Sequence, residues 1–300
     1  MKSTIAACAL LMLFSCAQPG SETKTNNRTD KNNIVLAAET EAFKPAFTGN
    51  YNRQTPAENP MGYYTGMFEA EEYDENQNIM WANRITISID SVKEKTIYGH
   101  SIVAGNNRPF TGELKKNENG MTVIAKEPGD DKYDGVFTFT VSGDNLMISG
   151  TWSANDKTLG VTKRIYELNR REFKYDENVE LPEFLQWEAL YGTYDDETAK
   201  AEGLTKDVLK FNASNTLLKA RDVENLFKGD LEVIRNAIYA RHGYSFKNRK
   251  MRFLFDNYIE WYMPVSVDIT NDLTAIEKRN IEIIKRYEAH AEKYYDVFGR

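Results

Sequence analysis

Between about Gly62 and Asn169 apolar and polar residues alternate with a period of two, the repeat of a strand with one buried face. Arg84-Ile-Thr-Ile-Ser-Ile-Asp90 alternates without a break. Val136-Phe-Thr-Phe-Thr-Val141 is aromatic and β-branched, and Leu146, Ile148, Gly150 and Trp152 share one face of a further run. Turn-forming clusters separate the runs at Asn106-Asn107, Asn117-Glu-Asn-Gly120, Pro128-Gly-Asp-Asp131, Ser142-Gly-Asp-Asn145 and Ala154-Asn-Asp156. About eight strands follow, starting near 63, 84, 96, 109, 121, 135, 146 and 161. Connections this short predict an antiparallel meander, closed as a small barrel or stacked as a sandwich. Gly66, Gly99, Gly112 and Gly150 interrupt strand runs as bends or bulges would, which favours the barrel.

From about Glu183 the period becomes helical. Asp230 is placed to N-cap a helix that runs to His242, with Gly243 at the left-handed position beyond it. A second helix is expected over Asn248–Tyr258, with Met251, Leu254, Phe255 and Tyr258 on one face. Thr274-Ala-Ile-Glu277 is a capping box that opens a last helix to about Val297. The apolar stripe of that helix is Leu273, Ile276, Ile283, Ile284, Tyr287, Ala291, Tyr294 and Phe298. The fold class is therefore α+β in two domains: residues 61–170 form an antiparallel β domain and residues 171–300 a mainly helical one.

The amino terminus changes what the composition means. Residues 1–15 hold Lys2 and then an unbroken apolar and small-residue run too short to span a bilayer, which is the pattern of a signal peptide. Leu13-Phe14-Ser15-Cys16 ends that run and resembles the lipobox of bacterial lipoproteins. The resemblance implies cleavage before Cys16, acylation of its thiol and, with Ala17 next, an outer-membrane destination. Cys8 then leaves with the leader and Cys16 carries lipid, so the two cysteines supply no disulfide, thiol nucleophile or thiolate metal site. Residues 16–60 read as a flexible tether; positions 17–60 hold five basic and five acidic residues and no polybasic attraction to lipid. Without Lys2 the 38 basic residues become 37 against 45 acidic, a charge of −8, which excludes a strongly basic nucleic-acid binder. Hydrophobic residues at 41% exclude disorder throughout.

Within the helical half, Tyr239-Ala-Arg-His-Gly243 is followed by Tyr244-Ser-Phe246, Phe255, Trp261-Tyr262-Met-Pro264 and Ile276-Glu-Lys-Arg-Asn280-Ile281. These blocks, in this order over residues 225–290, resemble the YARHG domain, an envelope-exposed domain of bacteria named for the pentapeptide. Met263 stands where many relatives have a lysine-like polar residue. The resemblance implies an envelope location and no particular reaction.

Chemistry at the motif follows from helix geometry. Leu231, Val233, Ile234, Ala237 and Ile238 fill an arc of about 160°, and Arg241 falls inside it. A guanidinium aimed at a core needs a carboxylate, several carbonyls or an aromatic face as its partner, and Glu277, Asp256 and the Trp261 ring are the candidates. The opposite face carries Glu232, Arg235, Asn236 and Tyr239, either a solvated surface or a contact surface. Between Lys228 and Arg252 seven basic residues face two acidic ones, a basic patch suited to an acidic glycan, a peptidoglycan carboxylate or an anionic head group. Asn280 interrupts the last apolar stripe and is expected to latch onto the Gly243-Tyr244 turn or the segment of Trp261 and Tyr262. His242 ends its helix where the dipole favours a cation. Three histidines, His100, His242 and His290, are too scattered for a histidine metal site. Acid clusters at 71–75, 130–134 and 195–197 fall in expected turns without calcium-loop spacing. No GxSxG, HExxH, phosphate loop or dinucleotide fingerprint occurs, so neither a catalytic group nor a cofactor is assigned.

The expected function is a lipid-anchored envelope protein that binds a glycan, peptidoglycan or another envelope protein. The alternatives are an envelope hydrolase using acidic residues of the β domain and a carrier of a small apolar ligand in an open barrel. The anchor makes the membrane a partner, and the compartment disfavours nucleic acid.

Overall fold

A computed structural model describes residues 57, 59–118, 120–186, 194–195, 200–201 and 204–295. The leader, Cys16, nearly all of the tether, Asp196, Glu197, Val297 and Phe298 lie outside the described residues.

Strands β1 (Gly62–Tyr73), β2 (Ala82–Lys93), β3 (Thr96–Val103), β4 (Asn106–Asn117), β5 (Gly120–Lys126), β6 (Gly135–Ser142), β7 (Met147–Ala154) and β8 (Val161–Arg171) pair antiparallel in sequence order. β1 pairs with both β2 and β8, which closes an eight-stranded up-and-down barrel and settles barrel against sandwich. The largest boundary difference is at β4, which starts at Asn106 rather than near 109. Asn106 and Asn107, expected in a turn, pair with Val103 and Ile102. The reversal is made by Ala104 and Gly105 instead, at φ 52° and 74°, the left-handed pair of a tight hairpin.

Alternate residues point inward. Phe68, Phe110, Phe137, Trp152 and Tyr166 meet across the lumen with ring centroids 5.8 to 6.4 Å apart, all nearly or fully buried. One glycine shows why the wall must thin there. A Cβ on Gly99 would lie 2.1 Å from the Ser88 carbonyl oxygen and 2.6 Å from the Phe110 ring, which crosses that position.

After the barrel come a 3-10 turn at Glu183–Gln186, a two-residue antiparallel pair, β9 (Tyr194–Asp195) with β10 (Lys200–Ala201), and a second 3-10 turn at Lys206–Leu209. The helices are α1 (Ala220–Val223), α2 (Lys228–Arg241), α3 (Arg249–Tyr258) and α4 (Ala275–Tyr294). Asn248 caps α3 by accepting from Lys250 and Met251 N–H, and the Thr274/Glu277 capping box opens α4. Two expectations are corrected. Phe227 is the N-cap of α2, and Asp230 lies inside the first turn, fully buried, where it accepts from Thr205 N–H and Oγ1, each at 2.8 Å. On α4 the buried face is Glu277, Asn280, Ile281, Ile284 and Ala291, whereas Ile276 and Tyr294 are exposed. Two polar residues sit in that seam because His242 at the end of α2 and the 212–218 loop bring groups that need them.

The barrel and the helical region meet through buried polar contacts inside one compact unit, Gln54–Arg300. Arg84 on the outer face of β2 is 6% exposed and donates to the carbonyls of Ile259 (2.7 Å) and Tyr262 (2.5 Å), just past the end of α3. It thereby closes the helix C-terminus from another element. Ser245 Oγ accepts from Gly105 N–H at 3.0 Å, and Arg249 donates to the Asn78 and Ile79 carbonyls of the β1–β2 loop. Asp256 of α3 is buried in the same junction, accepting from the Arg84 N–H; Arg84 and Arg252 are the charges that face it. Burial pushes its carboxyl up to about 7, against the hydrogen bond and the two guanidiniums. A raised folded-state value adds stability at low pH that is lost as pH rises from the unfolded carboxylate range through about 7. Asp256→Asn should therefore flatten the fall in the urea midpoint between pH 5 and 8; an unchanged slope would refute this assignment.

Candidate functional site

The motif residues converge on one strap of chain. Residues 172–182 run from the end of β8 across the C-terminal end of α2 without regular secondary structure. Arg241, at 4% exposure, donates from Nε to the Val179 carbonyl (3.0 Å) and from a terminal nitrogen to Ser214 Oγ (3.4 Å). Its guanidinium lies over the Trp261 ring, 5.8 Å from the centroid. Of the three expected partners only the Trp261 ring is in contact. Glu277 is committed elsewhere, and Asp256 belongs to the junction with the barrel. Burial lowers the Arg241 pKa, and the nearby carboxylates of Glu180 and Glu277 oppose that shift.

Trp261 Nε1 donates to the Glu180 carbonyl (2.8 Å), and Asn212 Nδ2 donates to the Glu177 carbonyl (2.9 Å) and to Glu180 Oε1 (3.1 Å). His242 is buried at the helix end; its Nε2 lies 2.8 Å from Glu277 Oε2 and its ring stacks on Tyr175 at 4.2 Å. Tyr175 Oη donates to the other Glu277 oxygen at 3.1 Å. Burial would raise the Glu277 carboxyl, but hydrogen bonds from His242, Thr274 N–H and Ser214 outweigh it and hold the group below its ordinary range. Burial and the Glu277 charge push the Tyr175 phenol up. Gly243 turns the chain at φ 71°; a Cβ there would meet Val265 at 2.4 Å and the strap's Phe173 at 2.9 Å.

The remaining predicted residues are structural neighbours of this cluster. Tyr262 is buried and donates to the Tyr244 carbonyl at 2.7 Å. Asn280 is fully buried, but its partners are not the expected turn. It accepts from Leu218 N–H (2.9 Å) and donates to the Ala213 and Thr216 carbonyls (both 2.7 Å). The face carrying Arg235, Asn236 and Tyr239 is covered rather than open. Arg235 pairs with Glu288 of α4 at 2.7 Å, Asn236 donates back to the Glu232 carbonyl, and the Tyr239 ring is half-buried beneath Arg235.

Five of the seven residues of the basic patch are likewise engaged within the fold. Lys228, Arg235 and Lys250 pair with Glu292, Glu288 and Glu232; Arg241 is buried and Arg249 binds barrel carbonyls. Two clefts of about 210 and 270 Å³ flank Arg241, the first lined by Phe173, Asp176 and Trp261, the second by Glu180, Leu209 and Phe211.

The acid clusters need correcting as well. Glu71 and Glu72 lie in β1 and flank Lys163 of β8 at 3.2 and 3.7 Å. Asp134 is buried, not solvated, and is held by Arg108 Nε (3.1 Å) and by the N–H groups of Gly129 and Asp131. Sequence reasoning missed Glu127, an inward-facing carboxyl one residue past β5. It accepts from Gly135 N–H (2.7 Å), Trp152 Nε1 (3.1 Å) and Ser101 Oγ (3.2 Å), and burial raises its pKa. Its parity with Val123 and Ala125 was the available signal.

An eight-stranded barrel fastened to a helical body whose signature arginine and histidine clamp the intervening strap is thus the class that the fold and site define. Residues 206–289 match the family model of the YARHG domain. The match starts well before the 225 expected from the motif blocks and so takes in the 212–218 loop that receives Asn280 and Arg241. No curated protein and no solved structure shows a significant match to the chain.

Proposed function

We propose that this protein is a cell-envelope binding module, anchored by lipid on Cys16 and presenting its barrel and YARHG domain to a glycan, peptidoglycan or another envelope protein at the outer membrane. The observation that carries the reading is the recognition geometry of the signature residues. Asn212, Arg241 and Trp261 donate to carbonyls between residues 177 and 180, which is how a surface holds a chain rather than how an active site aligns a nucleophile with its base. The hydrolase alternative has less support. Glu127 and Asp134, the two buried carboxyls of the barrel, are each saturated by three donors. The carrier alternative meets a lumen that already holds five aromatic rings.

Two measurements test the proposal. Cys16→Ala should move the protein from the membrane fraction to the soluble fraction, and its persistence in membranes would overturn acylation at Cys16. The purified full mature chain should co-sediment with isolated sacculi or cross-link to an envelope protein; failure of both would remove the binding reading.

A further inference from the structure

The strap lies outside the matched domain, yet the domain spends its signature on it. Residues 172–182 precede the match at 206–289, and every contact described above between them and Asn212, Arg241, His242, Trp261 and Glu277 runs from the domain to a segment it does not contain. The contacts are also of a transferable kind. The strap's carbonyls at 177, 179 and 180 accept from domain side chains, an interaction any peptide offers. Selectivity comes from Phe173 against Gly243 and from Tyr175 in the slot between the His242 ring and Glu277. Around those anchors Glu172, Lys174, Asp176, Glu177 and Glu180 are exposed, so the segment is acidic and faces the buried Arg241 charge. Few strap side chains are buried, and a segment held by a few anchors and surface hydrogen bonds opens at the low end of the local stability range.

We propose that the face formed by Asn212, Arg241, His242, Trp261 and Glu277 is an acceptor site for a linear acidic peptide with aromatic anchors. In this chain the site is occupied by the chain's own strap, and it opens to such a segment in trans when the strap is displaced. The use of this site in the envelope rests on the binding-module reading above, but its chemistry does not depend on the anchor or on sacculi, so each can fail without the other.

The probe is a synthetic peptide with the sequence of residues 172–183, titrated into the full mature chain by calorimetry. In the intact chain the tethered strap competes at an effective concentration on the order of millimolar, so binding should be weak. Phe173→Ser/Tyr175→Ser removes the anchors of the strap and leaves the acceptor face unchanged; the peptide should then bind at least about tenfold more tightly. Trp261→Phe added to that background keeps a ring beneath Arg241 but deletes the donor to the 180 carbonyl, and should weaken binding several-fold. A double variant with an intact far-UV spectrum and no saturable binding overturns the proposal. If that variant does not fold, Tyr175→Ala, which retains Phe173, carries the same test with the same two outcomes.

Discussion

Asn280→Leu, close to isosteric, should lower the melting temperature by about 10 °C. The substitution strands Leu218 N–H and the Ala213 carbonyl in a buried site and removes the donor to the part-buried carbonyl of Thr216. Each buried group left without a partner costs about 1–3 kcal/mol, and partial relaxation of the 212–218 loop brings the total to about 3–5 kcal/mol. For a body of this size each kcal/mol moves the midpoint by roughly 2–4 °C. Asn280→Asp keeps the acceptor but turns a buried carboxylate oxygen toward the two carbonyls that the amide donated to, so at neutral pH it should cost at least as much as the Leu variant. Thermal unfolding followed by circular dichroism decides the matter: a shift below about 2 °C for the Leu variant would mean that α4 is not latched through this side chain.

Arg84→Ala should have a comparable effect with a different signature. Arg84 comes from the barrel, and the carbonyls it satisfies, those of Ile259 and Tyr262, belong to the helical region. Its loss leaves the Tyr262 carbonyl unpaired, leaves the Ile259 carbonyl with the Tyr262 N–H alone, and removes the guanidinium from beside Asp256 and the Tyr262 ring. A cost of about 3 kcal/mol follows from hydrogen bonds to a charged donor. Because the lost contacts join the two halves, scanning calorimetry should show one transition in the parent divide into two. Arg84→Lys restores a charge but not the planar fork and should recover only part of the loss. A single transition at the parental temperature would show that the halves are held together by other contacts.

The barrel was legible because its strands alternate apolar and polar residues and its turns announce themselves. What the pattern could not show was the β3–β4 hairpin. Two left-handed residues, Ala104 and Gly105, make it, and the neighbouring asparagines looked like better turn formers. In the helical half the burial of Arg241 was legible from its angle on the wheel, and so was one partner, the Trp261 ring. The other two, the Val179 carbonyl and the Ser214 hydroxyl, sit on the strap and on the 212–218 loop, segments without periodicity, and every residue type has a carbonyl to offer. The basic patch misled for a related reason. Counting charge along α2 and α3 ignores Glu288 and Glu292 on a helix far away in sequence, which lie opposite Arg235 and Lys228 in space.

The closure of the barrel orders the assembly of the whole molecule in time. Seven of its eight pairings join neighbours in sequence, and only β1 with β8 spans the full meander, so the ring is sealed last and pays the largest loop-closure entropy. The strap begins at Glu172, one residue after β8 ends. On a chain emerging from its amino terminus, the YARHG domain is made after the barrel and finds its strap already fixed at one end by a sealed barrel. Slow refolding of the intact chain should therefore track ring closure, with burial of the Tyr175 ring against His242 following rather than leading it.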